Sequence, residues 1–110
     1  MATILIVDDL STNRKVLVTL LSGHGHRVLE AADGCQGLAA VAAEHPDLVI
    51  TDVLMPVMDG YEFLLQLRLN PPTCEIPVVF YTAHYSAREA KALALSSGVA
   101  YVLTKPAGSQ

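Results

Sequence analysis

The sequence is poor in charge and in cysteine, and it lacks any long apolar run. Only 16% of its 110 residues are charged, against about 25% in typical soluble domains, and the mean hydropathy is +0.41. A chain with so little charge is expected to hide apolar surface against a partner or against a segment outside this sequence. The net charge of −4 argues against direct binding of nucleic acid, which requires a basic face.

The absence of a long apolar run and the small number of cysteines also indicate where in the cell the protein is expected. No stretch reaches the roughly eighteen apolar residues of a membrane span, and the N-terminus MATILIVDDL lacks the basic region of a signal peptide. Cys35 and Cys74 lie far apart and outside any metal-ligand spacing, which favours free thiols in a reducing compartment. We therefore expect a cytoplasmic protein without membrane insertion.

Short apolar runs alternate with helical patterns along the chain. The runs are rich in β-branched residues, which is typical of strands buried on both faces. The predicted strands are Thr3–Asp8, His26–Ala31, Asp47–Asp52, Ile76–Thr82 and Val99–Thr104. Apolar residues at helical spacing predict four helices between them. Asp33 with Gln36, and Asp59 with Glu62, have the spacing of capping boxes, and Gly23 stands where a C-cap glycine is expected.

This alternation predicts an α/β fold with a doubly wound, five-stranded parallel sheet and right-handed crossovers. The chain is short enough that residues 1–110 are expected to form one domain. Both faces of such a sheet need helices, yet only five residues follow Lys105. We therefore expect that the final helix is missing or cropped from this sequence, or that something else covers that face.

Acidic and polar residues stand at the predicted strand ends, where ligands of open α/β sheets bind. Asp8 and Asp9 end the first strand, Asp52 the third and Thr82 the fourth, and Lys105 follows the fifth. Each has an ordinary alternative explanation; Asp9, for example, could cap the next helix. Three gathered carboxylates repel one another unless a cation neutralises them. Oxygen ligands of this kind suit Mg²⁺ with phosphate beside it.

Four motifs in order resemble the receiver domain of two-component response regulators. They are ILIVDD (residues 4–9), DLVITDVLMPVMDG (47–60), PVVFYTA (77–83) and GVAYVLTKP (98–106). The resemblance covers the whole chain, and it implies the flavodoxin-like strand order 2-1-3-4-5 of CheY-like proteins.

The resemblance implies a role for each matching residue at the strand ends. Asp52 is the expected phosphoacceptor, a carboxylate nucleophile toward phosphohistidine or a small phosphodonor. Asp9 is expected to bind Mg²⁺ directly and Asp8 partly through water. Asp52 and the backbone carbonyl of Leu54 are the other implied ligands. Lys105, together with Mg²⁺, is expected to neutralise charge on the transferred phosphoryl group.

The resemblance also implies a switch. Thr82 matches the family's switch hydroxyl and Tyr101 its switch aromatic, and Pro106 resembles the proline whose cis peptide bond positions Lys105. Phosphorylation is expected to draw Thr82 toward the phosphoryl group and Tyr101 inward, which changes the face of the fourth helix and fifth strand. From the residues alone, Tyr101 could equally be a half-buried core tyrosine.

The function implied is that of a bacterial signalling protein that promotes its own phosphorylation and dephosphorylation and is not a turnover enzyme. The expected partners are a sensor histidine kinase or phosphotransfer protein and an output domain, which is either C-terminal to residue 110 or a separate chain. An exposed apolar face would also allow a dimer.

Three other interpretations compete with a phosphorylated receiver. An aspartyl phosphohydrolase commonly has a second acid two residues after its nucleophile, where this chain has Leu54. A flavodoxin needs a Ser/Thr/Gly-rich phosphate loop after the first strand, where this chain has DDLSTN. A receiver-like interaction module that is not phosphorylated in vivo is the main alternative. Such a module would ordinarily have lost Asp52, one of the paired acids or Lys105, and all of them are present.

Overall fold

The computed structural model describes residues 1–82 and 87–104. Their strands are β1 (Thr3–Val7), β2 (Arg27–Ala31), β3 (Leu48–Thr51), β4 (Val78–Thr82) and β5 (Tyr101–Thr104). Their helices are α1 (Ser11–Gly23), α2 (Gly34–Glu44), α3 (Gly60–Leu69) and α4 (Ala87–Ser97). The predicted alternation of strands and helices is confirmed.

The five strands form one parallel sheet in the order β2-β1-β3-β4-β5. The predicted order 2-1-3-4-5 is therefore confirmed. The direction of winding reverses between β1 and β3, because the chain first moves outward to β2 and then crosses to the other side of β1. At such a point the connections after the two central strands diverge and leave a crevice at their carboxyl ends. Val7 pairs with Thr51, so Asp8 and Asp52 leave the sheet side by side at this crevice.

The main core lies on the face of the sheet that α2 and α3 cover. Leu5 and Val7 of β1 are fully buried there, in one cluster with residues of both helices. Phe63, Leu64 and Leu67 are buried on α3. These three residues form the helical face that the apolar spacing predicts, so this part of the core follows from the sequence pattern.

Apolar residues are also exposed on α1 and on the edge strand β5. α1 has no buried residue, and its Val16 and Leu20 are 64% and 54% exposed. On the edge strand β5, Tyr101 and Leu103 are exposed as well. Part of the apolar surplus in the composition is therefore exposed on these two elements.

Aspartates begin two of the helices as predicted. The carboxylate of Asp33 accepts a hydrogen bond from the N–H of Gln36 at 2.8 Å, and that of Asp59 accepts one from Glu62 at 2.9 Å. Each bond satisfies a backbone donor that has no partner within its own helix. The start of α3, which follows the loop after β3, is therefore well defined.

The end of α1 differs from the prediction. Gly23 is the last helical residue, and His24 is the C-cap, so the assignment of Gly23 as the C-cap is wrong. The left-handed residue is Gly25, with φ of 85°. The chain reverses into β2 at this later position, which is where a glycine's freedom at positive φ is needed.

Two exclusions made from the sequence can be compared with the structure. Cys35 and Cys74 are both free thiols. In the part of the chain that the structure describes, no helix combines the length and hydropathy required to cross a bilayer.

Candidate functional site

Three aspartates meet at the crevice between β1 and β3. One carboxylate oxygen from each of Asp8, Asp9 and Asp52 lies within 4.8 Å of the others. Asp8 and Asp52 are buried, with 3% and 5% of their surface exposed, whereas Asp9 is exposed. The structure therefore brings together the acidic residues that the sequence places at two separate strand ends.

Main-chain groups hold Asp52 at the end of β3. Its N–H donates to the carbonyl of Val7 at 2.9 Å, which extends the pairing of β1 with β3 by one residue. Its carboxylate Oδ1 accepts a hydrogen bond from the N–H of Val53 at 2.7 Å, and the Thr51 hydroxyl donates to its carbonyl at 2.9 Å. Hydrogen bonds from nearby residues thus fix both the backbone and the side chain of Asp52.

Gly60 lies directly against the backbone of Asp52. A Cβ at position 60 would overlap the carbonyl oxygen of Asp52 and lie 2.9 Å from the Cα of Val53. The N–H of Gly60 also donates to the Val53 carbonyl at 2.7 Å. Only glycine permits so close an approach. This steric role was not predicted from the sequence, where a glycine directly after the capping Asp59 was the available signal.

Asp9 does not cap the helix that follows it. The N-cap of α1 is Leu10, and no side chain provides a capping bond. It is Asp8 whose Oδ1 accepts the N–H of Leu10, at 2.9 Å. The capping role that the sequence allowed for Asp9 is therefore not observed.

Arg14 is a residue beside the site that sequence reasoning missed. Its Nη1 donates to the carbonyl oxygen of Asp8 at 2.6 Å, and its Nε donates to Oε1 of Glu30 at 3.0 Å. The signal that could have marked it is its position near the N-terminus of α1, because the helix dipole disfavours a cation there.

The remaining predicted site residues are Thr82, Leu54, Tyr101, Lys105 and Pro106, and the structure describes the first three of them. Thr82 ends β4 and is fully buried, and its strand is the neighbour of β3. Leu54 and Tyr101 are 49% and 67% exposed. Lys105 and Pro106, with the roles predicted for them, lie outside the described residues.

The donors at the crevice fit a small, hard divalent cation. They are carboxylate oxygens gathered within 4.8 Å, and two of the three acids are removed from water. Buried like charges are costly unless a cation neutralises them, and oxygen ligands with coordination positions left open for water and phosphate suit Mg²⁺. Asp8, Asp9 and Asp52 are therefore the residues that could hold such an ion.

Known proteins resemble this chain in sequence and in fold. A family model described as the response regulator receiver domain matches residues 4–110. Response regulator PleD of Caulobacter vibrioides is 40% identical over 105 residues, which are 96% of this chain and 23% of PleD. Protein PilH of Pseudomonas aeruginosa is 39% identical over 106 residues, which are 96% of this chain and 87% of PilH. The chain thus spans less than a quarter of one relative and most of the other.

A solved structure matches over nearly the whole chain. It is the N-terminal domain of a response regulator receiver protein from Methanoculleus marisnigri JR1, with a TM-score of 0.86 and 37% identity. The match covers 98% of this chain and 87% of that one. The likeness therefore extends over every element described above.

Proposed function

The chain belongs to the response regulator receiver domain family, and from that premise we propose that it accepts a phosphoryl group on Asp52 in a two-component phosphorelay. The donor is the phosphohistidine of a sensor histidine kinase or of a phosphotransfer protein. The observation that carries this proposal is the convergence of Asp8, Asp9 and Asp52, with carboxylate oxygens within 4.8 Å of one another, at the point where the winding of the sheet reverses.

Asp52 acts as the nucleophile in this reaction. A carboxylate oxygen forms a bond to phosphorus while the phosphorus–nitrogen bond to the donor imidazole breaks, and the imidazole leaves with the electron pair. The hydrogen bond from the Val53 N–H to Oδ1 keeps the carboxylate in one orientation. A fixed orientation lowers the entropic cost of reaching the transition state.

Asp8, Asp9 and Asp52 would hold Mg²⁺, and the backbone carbonyl of Leu54 is the further ligand that we propose. When bound, the cation supplies positive charge that offsets the negative charge on the transferred phosphoryl group. Lys105 is proposed to add a second positive charge beside that group. Without such charges the three carboxylates would repel an incoming phosphate.

Thr82 and Tyr101 form the proposed switch. The phosphoryl group adds about −1.5 to −2 charges and three strong acceptors, to which the Thr82 hydroxyl can donate. Tyr101 pairs in register with Val79 of β4, and its 67% exposure supports an outward position from which it turns inward. Phosphorylation biases these two conformations and so alters the face of α4 and β5 that a partner contacts.

We further propose a single receiver domain over residues 1–110, in a bacterial cytoplasmic signalling protein that is not a turnover enzyme. Leu54 stands two residues after Asp52 and cannot accept a proton from water, which supports slow hydrolysis of the phosphorylated form. An output domain, on this chain or another, receives the signal. The exposed Tyr101 and Leu103 support contact with a second copy through that face.

Phosphorylation by a small donor tests the central claim. The unaltered chain is incubated with Mg²⁺ and acetyl phosphate, and its intact mass is measured. We expect one phosphoryl adduct, stable in acid and labile in base, and none on Asp52→Asn. Asp47→Asn is the matched control, because Asp47 is exposed and lies at the opposite end of the sheet, where it accepts a hydrogen bond from the N–H of Thr3 at 2.8 Å. We expect this variant to form the same phosphoryl adduct as the unaltered chain.

Two results would count against the proposal. An adduct on Asp52→Asn would place the acceptor elsewhere. Absence of any adduct on the unaltered chain would favour the alternative, a receiver-like interaction module that is not phosphorylated.

A further inference from the structure

Arg14 joins three elements next to the acidic site. It belongs to α1, and its guanidinium donates to the Asp8 carbonyl at the end of β1 and to the Glu30 carboxylate on β2, at 2.6 and 3.0 Å. Its side chain is 17% exposed and that of Glu30 is 47% exposed, so the bond to the Asp8 carbonyl is the better shielded from competing water. Charge-assisted hydrogen bonds are stronger in such surroundings, and the planar guanidinium holds its two donors at a fixed angle.

The peptide unit that Arg14 contacts connects the two acids of the site. The carbonyl of Asp8 lies in one rigid plane with the N–H and Cα of Asp9. The direction of that carbonyl therefore determines where the backbone of Asp9 lies. Asp9 is exposed, so packing contributes little to its position.

We infer that Arg14 is a positioning residue for the metal site. Oriented by Glu30, it holds the peptide between Asp8 and Asp9 in the direction that brings both carboxylates to Asp52. This inference rests on the proposed function and adds to it a residue that does not itself bind the cation.

The charge of Arg14 and its geometry have opposite effects on Mg²⁺. A positive charge beside the carboxylates repels a cation, so removal of the charge alone would strengthen Mg²⁺ binding. Loss of the correct peptide orientation would weaken it. Weaker Mg²⁺ binding after substitution of Arg14 would therefore indicate a positioning role, and stronger binding would indicate a purely electrostatic one.

Titration calorimetry with MgCl₂ on the purified chain measures the Kd for Mg²⁺ and so shows the direction of the change. Arg14→Lys keeps the charge but cannot reproduce both bonds of the planar group, and Arg14→Met removes charge and bonds together. We expect Arg14→Lys to raise the Kd for Mg²⁺ by about tenfold, the lower end for residues that orient metal ligands. Arg14→Met should also raise the Kd, but by less, because loss of the positive charge offsets part of the effect. Glu30→Gln keeps an oxygen acceptor for Nε, and we expect a smaller rise, about threefold, for this variant.

Arg27 provides the matched control. Its Nη2 lies 2.6 Å from Oε1 of Glu44, and this ion pair joins β2 to α2. Arg27 begins β2, at the end of the strand away from Asp8. Arg27→Met should change the Kd for Mg²⁺ by less than about twofold, because distant sites act independently. Thermal unfolding of all variants without Mg²⁺ reports any general loss of stability.

Several outcomes would overturn the inference. An unchanged Kd in Arg14→Lys, or tighter binding in Arg14→Met, would leave Arg14 only an electrostatic role. Equal weakening in the Arg14 and Arg27 variants would indicate a general loss of stability. Failure of the unaltered chain to bind Mg²⁺ would instead remove the proposed function, and with it the site that Arg14 positions.

Discussion

Asp52 is surrounded by residues that act through the main chain. Val7 accepts its N–H, Val53 donates to its carboxylate, and the missing side chain of Gly60 leaves room for its carbonyl. These neighbours have no chemistry of their own in phosphoryl transfer. Their effect is to fix the position of the proposed nucleophile, and positional precision of this kind is a large part of catalysis.

Val57, in the loop after β3, has a strained backbone. Its φ is 71°, a conformation that is rare for a β-branched residue and costs about 1–3 kcal/mol. Its side chain is 82% exposed, so packing does little to offset the strain. Asparagine tolerates this conformation better. We expect Val57→Asn to raise the free energy of unfolding by about 1 kcal/mol, measured by urea denaturation.

Val16→Asn is the control for this substitution, because Val16 is also exposed but lies within α1. Valine and asparagine have similar helix propensities, so this change should stay within about 0.5 kcal/mol. Equal effects at positions 57 and 16 would contradict the assignment of strain to Val57.

Among the elements, α1 and α3 have similar apolar patterns but very different burial. α3 buries Phe63, Leu64 and Leu67, whereas Val16 and Leu20 of α1 are largely exposed. An apolar stripe indicates which side of a helix can be buried, but that side is buried only if another element packs against it. The apolar pattern therefore predicts that both segments are helical. It predicts burial correctly for α3 but not for α1.

The cap of α3 gives a prediction at the same scale. Asp59 accepts the N–H of Glu62, and loss of such a cap typically costs about 1 kcal/mol. We expect Asp59→Ala to lower the free energy of unfolding by that amount in urea denaturation. Asp59→Asn, which keeps the accepting oxygen, should lose much less. If both variants were equally destabilised, the capping bond would not be the cause.

For the whole molecule, the site exists because the sheet changes its direction of winding. Asp8 and Asp52 follow strands that are adjacent in space, although three elements, α1, β2 and α2, separate those strands along the chain. The same arrangement concentrates negative charge in the folded state. Folding therefore creates both a group of carboxylates that could hold a cation and a local electrostatic cost.

Mg²⁺ should consequently stabilise the folded protein. A ligand that binds only the folded state contributes about 2.7 kcal/mol at one hundred times its Kd. We expect the Tm, measured by circular dichroism, to rise with MgCl₂ and to change much less with NaCl at equal ionic strength. Asp9→Asn should be more stable than the unaltered chain without Mg²⁺, because one like charge is gone, and should lose most of the rise. An equal rise with NaCl would indicate general screening instead.

The sequence by itself determined the fold class and the approximate limits of the strands. Buried parallel strands and amphipathic helices have different apolar periods, and each predicted strand exceeds the observed one by at most two residues at either end. The strand order followed from the family resemblance, because periodicity describes one element at a time. The positions of Asp8, Asp9 and Asp52 at strand ends could also be read locally.

Only the tertiary structure decided which of these local features meet. The contact of Arg14 with Asp8, the clearance at Gly60 and the exposure of α1 all depend on where the chain crosses the sheet. Such contacts join residues from different elements, so no pattern within one element contains them. The physical reason is that secondary structure follows from short-range periodicity and capping, whereas a site assembled across a sheet follows from packing and topology.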